Sequence, residues 1–151
     1  MRHMVFFEGL DKTGKTTLCR SLSSWRRDTF TYFDRGPWSR YALGRYYGYE
    51  GVAPALAIMR QAAPIAVVVF VHRDLDDVVA LQQGKENMTR AGLEAQERLF
   101  DEAFATVPPA VLLHVHTRAG EDQADELRTR LTAIAGTARS AVATAPSAGD
   151  H

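Results

Sequence analysis

The sequence contains a single cysteine, Cys19, among 151 residues. A lone cysteine has no partner for an internal disulfide, and it offers no C-x-x-C pair with which a zinc cluster could begin. A chain of about this length buries roughly 68 to 70% of the surface that its unfolded form exposes, so its core needs no covalent or metal support. The scarcity of cysteine excludes a disulfide-stapled mini-protein and predicts a reducing, cytoplasmic setting.

Net charge is absent as well, because 18 Lys and Arg residues balance 18 Asp and Glu residues. A protein surface that binds nucleic acid or an anionic membrane through its charge needs an excess of Lys and Arg. We therefore expect any contact with phosphate to be local. Nucleic acid is disfavoured as a partner, although it stays open as a substrate.

Long apolar segments are also missing. The longest apolar run, Ile65–Val71, has seven residues, whereas a membrane-spanning helix needs about 20. The apolar run after Met1-Arg2-His3 ends at Phe7 and is too short for the apolar region of an export signal, which takes about 7 to 15 residues. We expect a protein with no membrane partner that is not exported by that route.

Short apolar strands alternate with amphipathic helices along the chain. Strands are predicted at Met4–Phe7, Phe30–Phe33, Ile65–His72 and Ala110–His116, and helices at Lys15–Arg27, Ser39–Tyr47, Pro54–Ala63, Leu75–Gly84, Leu93–Val107 and Asp122–Ala135. This order predicts βαβ units and an α/β fold, a three-layer α/β/α sandwich around a parallel sheet. Right-handed crossovers bring the loops after the strands to one carboxyl edge, where ligands bind. Glu8, Asp34 and His72 are expected at that edge.

The end of the sequence differs in composition from the rest. Residues 136–151 are mostly Ala, Ser, Thr and Gly, with almost no large apolar side chain. A segment of this kind has little surface to bury. We therefore divide the chain into a folded domain, residues 1–135, and a disordered tail, residues 136–151.

The segment Gly9–Thr16, GLDKTGKT, matches the phosphate-loop pattern G-x-x-x-x-G-K-[ST] in full. It lies between a predicted strand and a predicted helix, as this motif of P-loop NTPases requires. Its glycines allow backbone N–H groups to turn towards phosphates, and the amino end of the helix adds partial positive charge. Lys15 is predicted to reach the β and γ phosphates and Thr16 to coordinate Mg²⁺. The predicted ATP-binding residues are Gly9, Asp11, Lys12, Thr13, Gly14, Lys15, Thr16 and Thr17.

Two motifs resemble a known family. Phe6–Thr17, FFEGLDKTGKTT, is similar to the opening of thymidylate kinases, which typically read F-E-G-L-D-(R/K/G)-x-G-K-T-T. Asp34-Arg35, followed by Ser39, resembles that family's D-R-(Y/S)-x-x-S segment. The similarity is specific over these motifs, looser through about Phe104 and absent from the tail. It implies a nucleoside monophosphate kinase-like fold, with Mg²⁺ as cofactor and ATP as phosphoryl donor.

The resemblance also implies a role for each matching residue. Asp11 would bind the deoxyribose of the nucleotide acceptor, and Lys12 would contact the γ phosphate. Asp34 would hold a Mg²⁺-bound water or orient the acceptor oxygen, so Thr16 and Asp34 are the predicted metal residues. Arg35 would clamp the phosphate of the acceptor in a bidentate pair.

The sequence departs from the family where the base pocket is expected. Thymidylate kinases usually have a longer stretch before the D-R segment, whereas only Leu18–Phe33 lies between the two motifs here. Aromatic residues after the D-R segment suit stacking on a base. We therefore predict Trp38 and Tyr46 as substrate contacts, together with Glu8 at the carboxyl edge. The aromatic spacing also fits a core or an interface, and that alternative stays open.

The family's lid is rich in arginine, whereas residues 81–90 offer only Lys85 and Arg90. A lid has to close and exclude water to limit ATP hydrolysis. Because Lys12 supplies charge from the phosphate loop, a lid with fewer arginines is chemically coherent. Arg90 is the predicted lid cation, and an exposed loop arginine is the alternative. The predicted catalytic residues are Lys12, Lys15, Asp34, Arg35 and Arg90.

Three histidines are expected at the ends of two strands, His72 on one and His114 and His116 on a shared face of the other. Imidazoles bind metals, but no further ligand at suitable spacing accompanies them. We interpret these histidines as polar strand-end residues.

The predicted function is transfer of the γ-phosphoryl group of ATP to a (deoxy)nucleoside monophosphate, with dTMP or a related pyrimidine nucleotide first. A kinase acting on a nucleoside hydroxyl, or on a hydroxymethylated base in DNA, is one alternative, because the short segment removes the usual base pocket. A nucleotide-binding switch or ATPase without a small acceptor is another. The predicted partners are ATP and a small nucleotide, and a homodimer is left open.

Overall fold

The computed structural model describes residues 2–81, 89–118 and 121–144, of which 138–144 are described as backbone. Its strands are β1 (His3–Glu8), β2 (Phe30–Asp34), β3 (Ala66–His72) and β4 (Val111–His116). Its helices are α1 (Lys15–Leu22), α2 (Pro37–Tyr47), α3 (Val52–Ala62), α4 (Leu75–Leu81), α5 (Arg90–Thr106) and α6 (Ala124–Thr144). A short 3₁₀ turn, Ala63–Ile65, precedes β3. None of these helices combines the length and the apolar character that crossing a bilayer requires.

The strands of the described residues form one sheet in the order β2-β1-β3-β4, and every pairing is parallel. The register places Phe7 beside Asp34 and Glu8 beside Phe70. All four strands end at the same edge, so Glu8, Asp34 and His72 meet there. The predicted three-layer α/β/α sandwich with a parallel sheet is confirmed.

Each face of the sheet is covered by its own set of helices. Side chains alternate between the faces along a strand: Phe6 and Val68 pack with α2 to α5, and Phe7 and Val69 pack with α1 and α6. Strand β3, one of the two inner strands, is apolar along almost all its length because both of its faces are buried. Burying one large apolar side chain contributes about 1.5 to 3 kcal/mol. These two apolar layers hold the polar carboxyl edge in place.

The first helix is shorter than predicted, ending at Leu22 instead of Arg27. Beyond it, the backbone N–H of Trp25 donates to the carbonyl oxygen of Leu22 in a turn. The Trp25 ring then stacks on Phe30, with ring centroids 5.9 Å apart. Packing of Trp25 against the start of β2 therefore ends the helix early, although the apolar residues of this segment have helical spacing.

The last helix is longer than predicted, because α6 continues to Thr144 instead of ending at Ala135. A single glycine such as Gly136 costs a helix only about 1 kcal/mol relative to alanine, and the alanines around it favour helix. The predicted helix end is wrong, and the predicted disordered tail begins inside α6. Residues 145–151 lie outside the described residues.

Candidate active site

The phosphate loop, Gly9–Thr16, adopts backbone conformations that glycine favours. Gly9 has φ +139°, and a Cβ there would lie 2.6 Å from the carbonyl oxygen of Val71. Gly14 has φ +92° and is the N-cap of α1. Lys12, exposed on the loop, also has a positive φ of +64°, which is sparsely populated by residues with a side chain. These backbone conformations turn the loop back on itself, as the motif predicts for phosphate binding.

Lys15, the first residue of α1, is buried although it can carry a charge. Its Nζ donates to the carbonyl oxygen of Leu10, and the hydroxyl of Thr13 donates to the same oxygen at 2.9 Å. Burial lowers the pKa of Lys15 to about 8, while the charges of Asp34 and Glu8 oppose the shift. The amine is held inside the loop, where the motif predicts the β and γ phosphates.

A contact from the end of β4 anchors the phosphate loop. The hydroxyl of Thr117 donates to the carbonyl oxygen of Thr13 at 2.6 Å and lies 3.2 Å from the carbonyl oxygen of His72. The backbone N–H of Thr117 donates to the same His72 oxygen at 2.8 Å. Sequence reasoning missed Thr117 because a single threonine carries no pattern. Its place after a predicted strand, at the carboxyl edge, was the available signal.

Thr16 and Asp34, the predicted metal residues, lie side by side. The hydroxyl of Thr16 donates to Oδ2 of Asp34 at 2.8 Å, and both residues are exposed, as is Thr17 on the first turn of α1. Mg²⁺ binds proteins through one or two oxygen donors of this kind and keeps several waters. The donor set therefore fits the ion, and coordination by these two residues stays a prediction.

Arg35 and Asp11, both predicted to contact the acceptor, form an ion pair. Arg35 has φ +74°, and its backbone N–H donates to the carbonyl oxygen of Phe7 at 3.0 Å. The chain therefore turns away from the sheet directly after Asp34. The two paired side chains are 44% and 49% exposed, so a ligand can reach them.

A cavity of about 750 Å³ opens beside this ion pair. It is lined by Asp34 and Arg35 at the sheet edge and by side chains from α2, α3 and the loop between them, including Arg40 and Tyr49. Part of its wall is Phe33, whose ring stacks on Phe6 with centroids 5.0 Å apart. Its volume lies in the range of small-molecule sites, roughly 300 to 1,000 Å³. We refer to it as the acceptor cavity.

Two aromatic residues predicted as substrate contacts lie outside the acceptor cavity. Trp38 is fully buried in the core, and its indole N–H donates to the carbonyl oxygen of Val107 at 2.9 Å. Trp38 lies on the face of α2 that packs towards α5, so the alternative that this residue belongs to the core is correct. Tyr46 stands edge-on to Tyr47, with centroids 4.9 Å apart, and is not among the described residues that line the cavity, whereas Tyr49 is.

Glu8, the last residue of β1, is also misassigned as a substrate contact, because its side chain is fully buried. Its Oε2 accepts a hydrogen bond from the backbone N–H of Ser39 at 2.6 Å, and its Oε1 is buried without a hydrogen-bond partner among the described residues. Burial raises the pKa of Glu8 to about 7, against the hydrogen bond from Ser39 and the charge of Lys15, which lower it. Glu8 lies behind the cavity wall and makes no contact with the cavity itself.

Arg90, the predicted lid cation, begins α5 and is exposed. Its guanidinium lies 3.0 Å from Oδ1 of Asp76 and 3.2 Å from Oε1 of Glu94. These contacts agree with the alternative of an exposed arginine at the surface. Residues 82–88 of the predicted lid, including Lys85, lie outside the described residues, and the lid role of Arg90 stays a prediction.

The three strand-end histidines form a stack. Nε2 of His72 lies 2.8 Å from Nδ1 of His114, and the ring of His116 lies 4.8 Å from that of His72. Burial, helped by the two neighbouring imidazoles, lowers the pKa of His72 to about 4. In the part of the chain that the structure describes, no cluster of three or more His, Cys, Asp or Glu side chains is arranged to hold a metal ion.

Comparison with known proteins identifies the fold. No protein-family model matches the chain, and no curated protein sequence matches it significantly. A crystal structure of the YorR protein from Bacillus subtilis, in complex with phosphorylated GDP, matches with a TM-score of 0.63 at 15% identity, over 90% of this chain and 97% of that chain. A thymidylate kinase from Candida albicans matches with a TM-score of 0.58 at 14% identity, over 91% and 92% respectively. The chain therefore has a thymidylate kinase-like P-loop fold.

Proposed function

We propose that this protein is an ATP-dependent kinase that phosphorylates a nucleoside monophosphate, with dTMP as the first acceptor. The observation that carries the proposal is the composition of one sheet edge, where the phosphate loop, the Thr16–Asp34 pair and the Arg35–Asp11 pair lie together beside the acceptor cavity. Phosphoryl transfer depends chiefly on positioning two substrates and stabilising charge between them. An anion-binding loop next to a nucleotide-sized cavity meets that requirement.

On the donor side, the phosphate loop binds the triphosphate of ATP. Lys15 supplies positive charge to the β and γ phosphates, and Lys12 adds a second charge from the exposed part of the loop. Thr16 and Asp34 would hold Mg²⁺, which when bound neutralises phosphate charge.

On the acceptor side, Arg35 exchanges its contact with Asp11 for the phosphate of the monophosphate. Asp11 is then released to accept a hydrogen bond from a sugar hydroxyl. The cavity wall, with Phe33 and Tyr49, presents the aromatic surface that suits a nucleobase.

The fold neighbours support a nucleotide substrate. One is a thymidylate kinase, and the other is in complex with phosphorylated GDP. Guanine nucleotides are therefore the second acceptor class to assay. The cytoplasm, which supplies ATP, is the proposed location.

A coupled ADP-release assay across nucleosides, nucleoside monophosphates and duplex DNA with hydroxymethylated bases tests this function. We expect ADP release to depend on a monophosphate and the product to be the diphosphate. Release with a nucleoside or with DNA, and none with monophosphates, would favour the alternative acceptors. Release that needs no acceptor would favour an ATPase.

Arg35→Ala separates acceptor binding from donor binding. We expect the acceptor KM to rise by roughly tenfold or more, the usual order for a charge-assisted pair, and the KM for ATP to be largely spared. Arg45→Ala, at the far end of α2, removes an exposed arginine bound to Glu102 and is the matched control. A normal acceptor KM in Arg35→Ala would remove this residue from the site.

A further inference from the structure

The amino end of α2 is capped by a side chain from another element. Its N-cap residue is Gly36, which has no side chain to accept a hydrogen bond from the first turn. The first N–H groups of a helix have no partner within the helix. Glu8 supplies one, because its Oε2 accepts from the backbone N–H of Ser39 at 2.6 Å. A carboxyl group at the end of β1 thus performs the capping that the helix's own sequence does not provide.

The contact is tightly packed. A Cβ added to Gly36 would lie 2.5 Å from the ring of Phe6 and 3.2 Å from Oε1 of Glu8. Glu8 and Ser39 are 0% and 1% exposed. The start of α2 is therefore pressed directly onto the end of β1, without space for an intervening group.

This capping contact joins the two halves of the site. Glu8 immediately precedes Gly9, the first residue of the phosphate loop. Arg35 lies directly before the N-cap of the capped helix, and it lines the acceptor cavity together with Gly36 and Ser39. The buried side chain of Glu8 therefore links the phosphate loop to the wall of the acceptor cavity.

We propose that Glu8 is a positioning residue: by capping α2 from the end of β1, it sets the placement of Arg35 and the cavity wall relative to the phosphate loop. The proposal rests on the proposed function, since it concerns the alignment of donor and acceptor phosphates. It assigns Glu8 no contact with substrate.

The atoms around Glu8 show which substitutions separate loss of the capping hydrogen bond from loss of the carboxylate charge. Among the described residues, Oε1 of Glu8 and Oγ of Ser39 are both buried without a hydrogen-bond partner, so substitutions can test the bond that Oε2 accepts from the Ser39 N–H. Glutamine keeps an oxygen that can accept that bond, and its NH₂ can donate to the Ser39 hydroxyl. Methionine occupies a similar volume but cannot accept the bond.

The experiment compares Glu8→Gln and Glu8→Met with a control, Glu102→Gln, which removes a carboxylate that binds Arg45 at the opposite end of α2 (2.7 Å). Steady-state constants for ATP and the monophosphate are measured together with amide hydrogen exchange of residues 38–40, since Pro37 has no backbone N–H. In Glu8→Met we expect the acceptor KM to rise and kcat to fall, each by about tenfold or more, with an unchanged ATP KM and faster exchange. Glu8→Gln and Glu102→Gln should resemble the wild type.

An unchanged acceptor KM and kcat in a folded Glu8→Met variant would overturn the proposal, as would equal increases in both KM values. If that variant lacks a cooperative unfolding transition, Glu8→Asp takes its place with the same expected split, because it keeps the carboxylate but shortens its reach. If the wild type phosphorylates no acceptor, the proposed function fails separately. Calorimetric binding of ATP and dTMP then decides the positioning role: selective loss of dTMP binding supports it, and equal or no loss overturns it.

Discussion

At the scale of single residues, the site depends on ionisable groups that the fold removes from water. Lys15 is 5% exposed and Glu8 is 0% exposed, and burial is the largest contribution to the pKa shift of each. A buried positive group acts on phosphates more strongly than an exposed one, because less water screens it. Burial of Lys15 therefore contributes directly to the chemistry proposed for the phosphate loop.

Lys15→Met tests that contribution, because methionine keeps an unbranched apolar stem and removes the charge. We expect phosphoryl transfer to fall by about 10²-fold or more, the usual effect of losing a group that stabilises the transition state. The melting temperature should change little, because the variant no longer has the cost of removing an amine from water, and this gain offsets the lost hydrogen bond to Leu10. Steady-state rates and thermal melting on the same preparation provide the check. Near-wild-type turnover in a folded variant would contradict the phosphate-loop assignment.

At the scale of elements, three of the four described strands contribute a part of the site at their carboxyl ends. β1 leads into the phosphate loop, β2 ends at Asp34, and the residue after β4 is Thr117, which anchors the loop. A parallel sheet places these ends together although they are far apart in sequence. The geometry of the phosphate loop therefore depends on the docking of β4.

Thr117→Val removes the anchoring hydroxyl and keeps the shape of the side chain. We expect the free energy of unfolding to fall by about 1 kcal/mol, the usual net value of a hydrogen bond, and amide exchange of residues 9–16 to become faster. The KM for ATP should rise. Thr132→Val is the matched control, because its hydroxyl donates to a carbonyl oxygen of its own helix, that of Arg128. Equal behaviour of the two variants would show that Thr117 does not anchor the loop.

The elements differ in how far sequence alone predicts them. The positions of the strands and the phosphate loop follow from local patterns, such as the apolar run of β3 and the glycines at positions 9 and 14. The burial of Trp38 and the cap from Glu8 to Ser39 depend instead on how α2 docks. No local pattern reports that docking, because the contacting residues are 31 and 69 positions apart.

At the scale of the whole molecule, two groups with shifted pKa values, the buried Glu8 and the half-buried His72, affect stability in opposite directions as pH changes. The pKa of Glu8 rises from 4.5 to about 7 on folding, so the folded state holds its proton more tightly and stability falls as pH rises through that window. The pKa of His72 drops from 6.5 to about 4, so the unfolded state holds that proton more tightly and stability rises between pH 4 and 6.5. The two effects oppose each other between pH 4.5 and 6.5.

Glu8→Gln should therefore change the pH dependence of unfolding. The variant lacks the Glu8 contribution, which amounts to about 3 kcal/mol for a shift of this size, so its stability should increase with pH from 4.5 to 6.5 more steeply than that of the wild type. Urea unfolding at half-unit steps from pH 4.5 to 8 measures the difference between the two proteins. Parallel curves would show that Glu8 titrates normally in the folded state.

The bond between Thr13 and Thr117 spans 104 positions of the chain, which has a consequence for synthesis. At roughly 5 to 20 residues per second, a ribosome makes the phosphate-loop sequence about 5 to 20 s before it makes the residue that anchors it. During that interval the nascent chain contains the phosphate loop but lacks Thr117, the residue that anchors it. We therefore expect ATP, the proposed donor, to bind best after β4 has docked and, as a ligand of the folded state, to stabilise the completed sheet over its unfinished precursors.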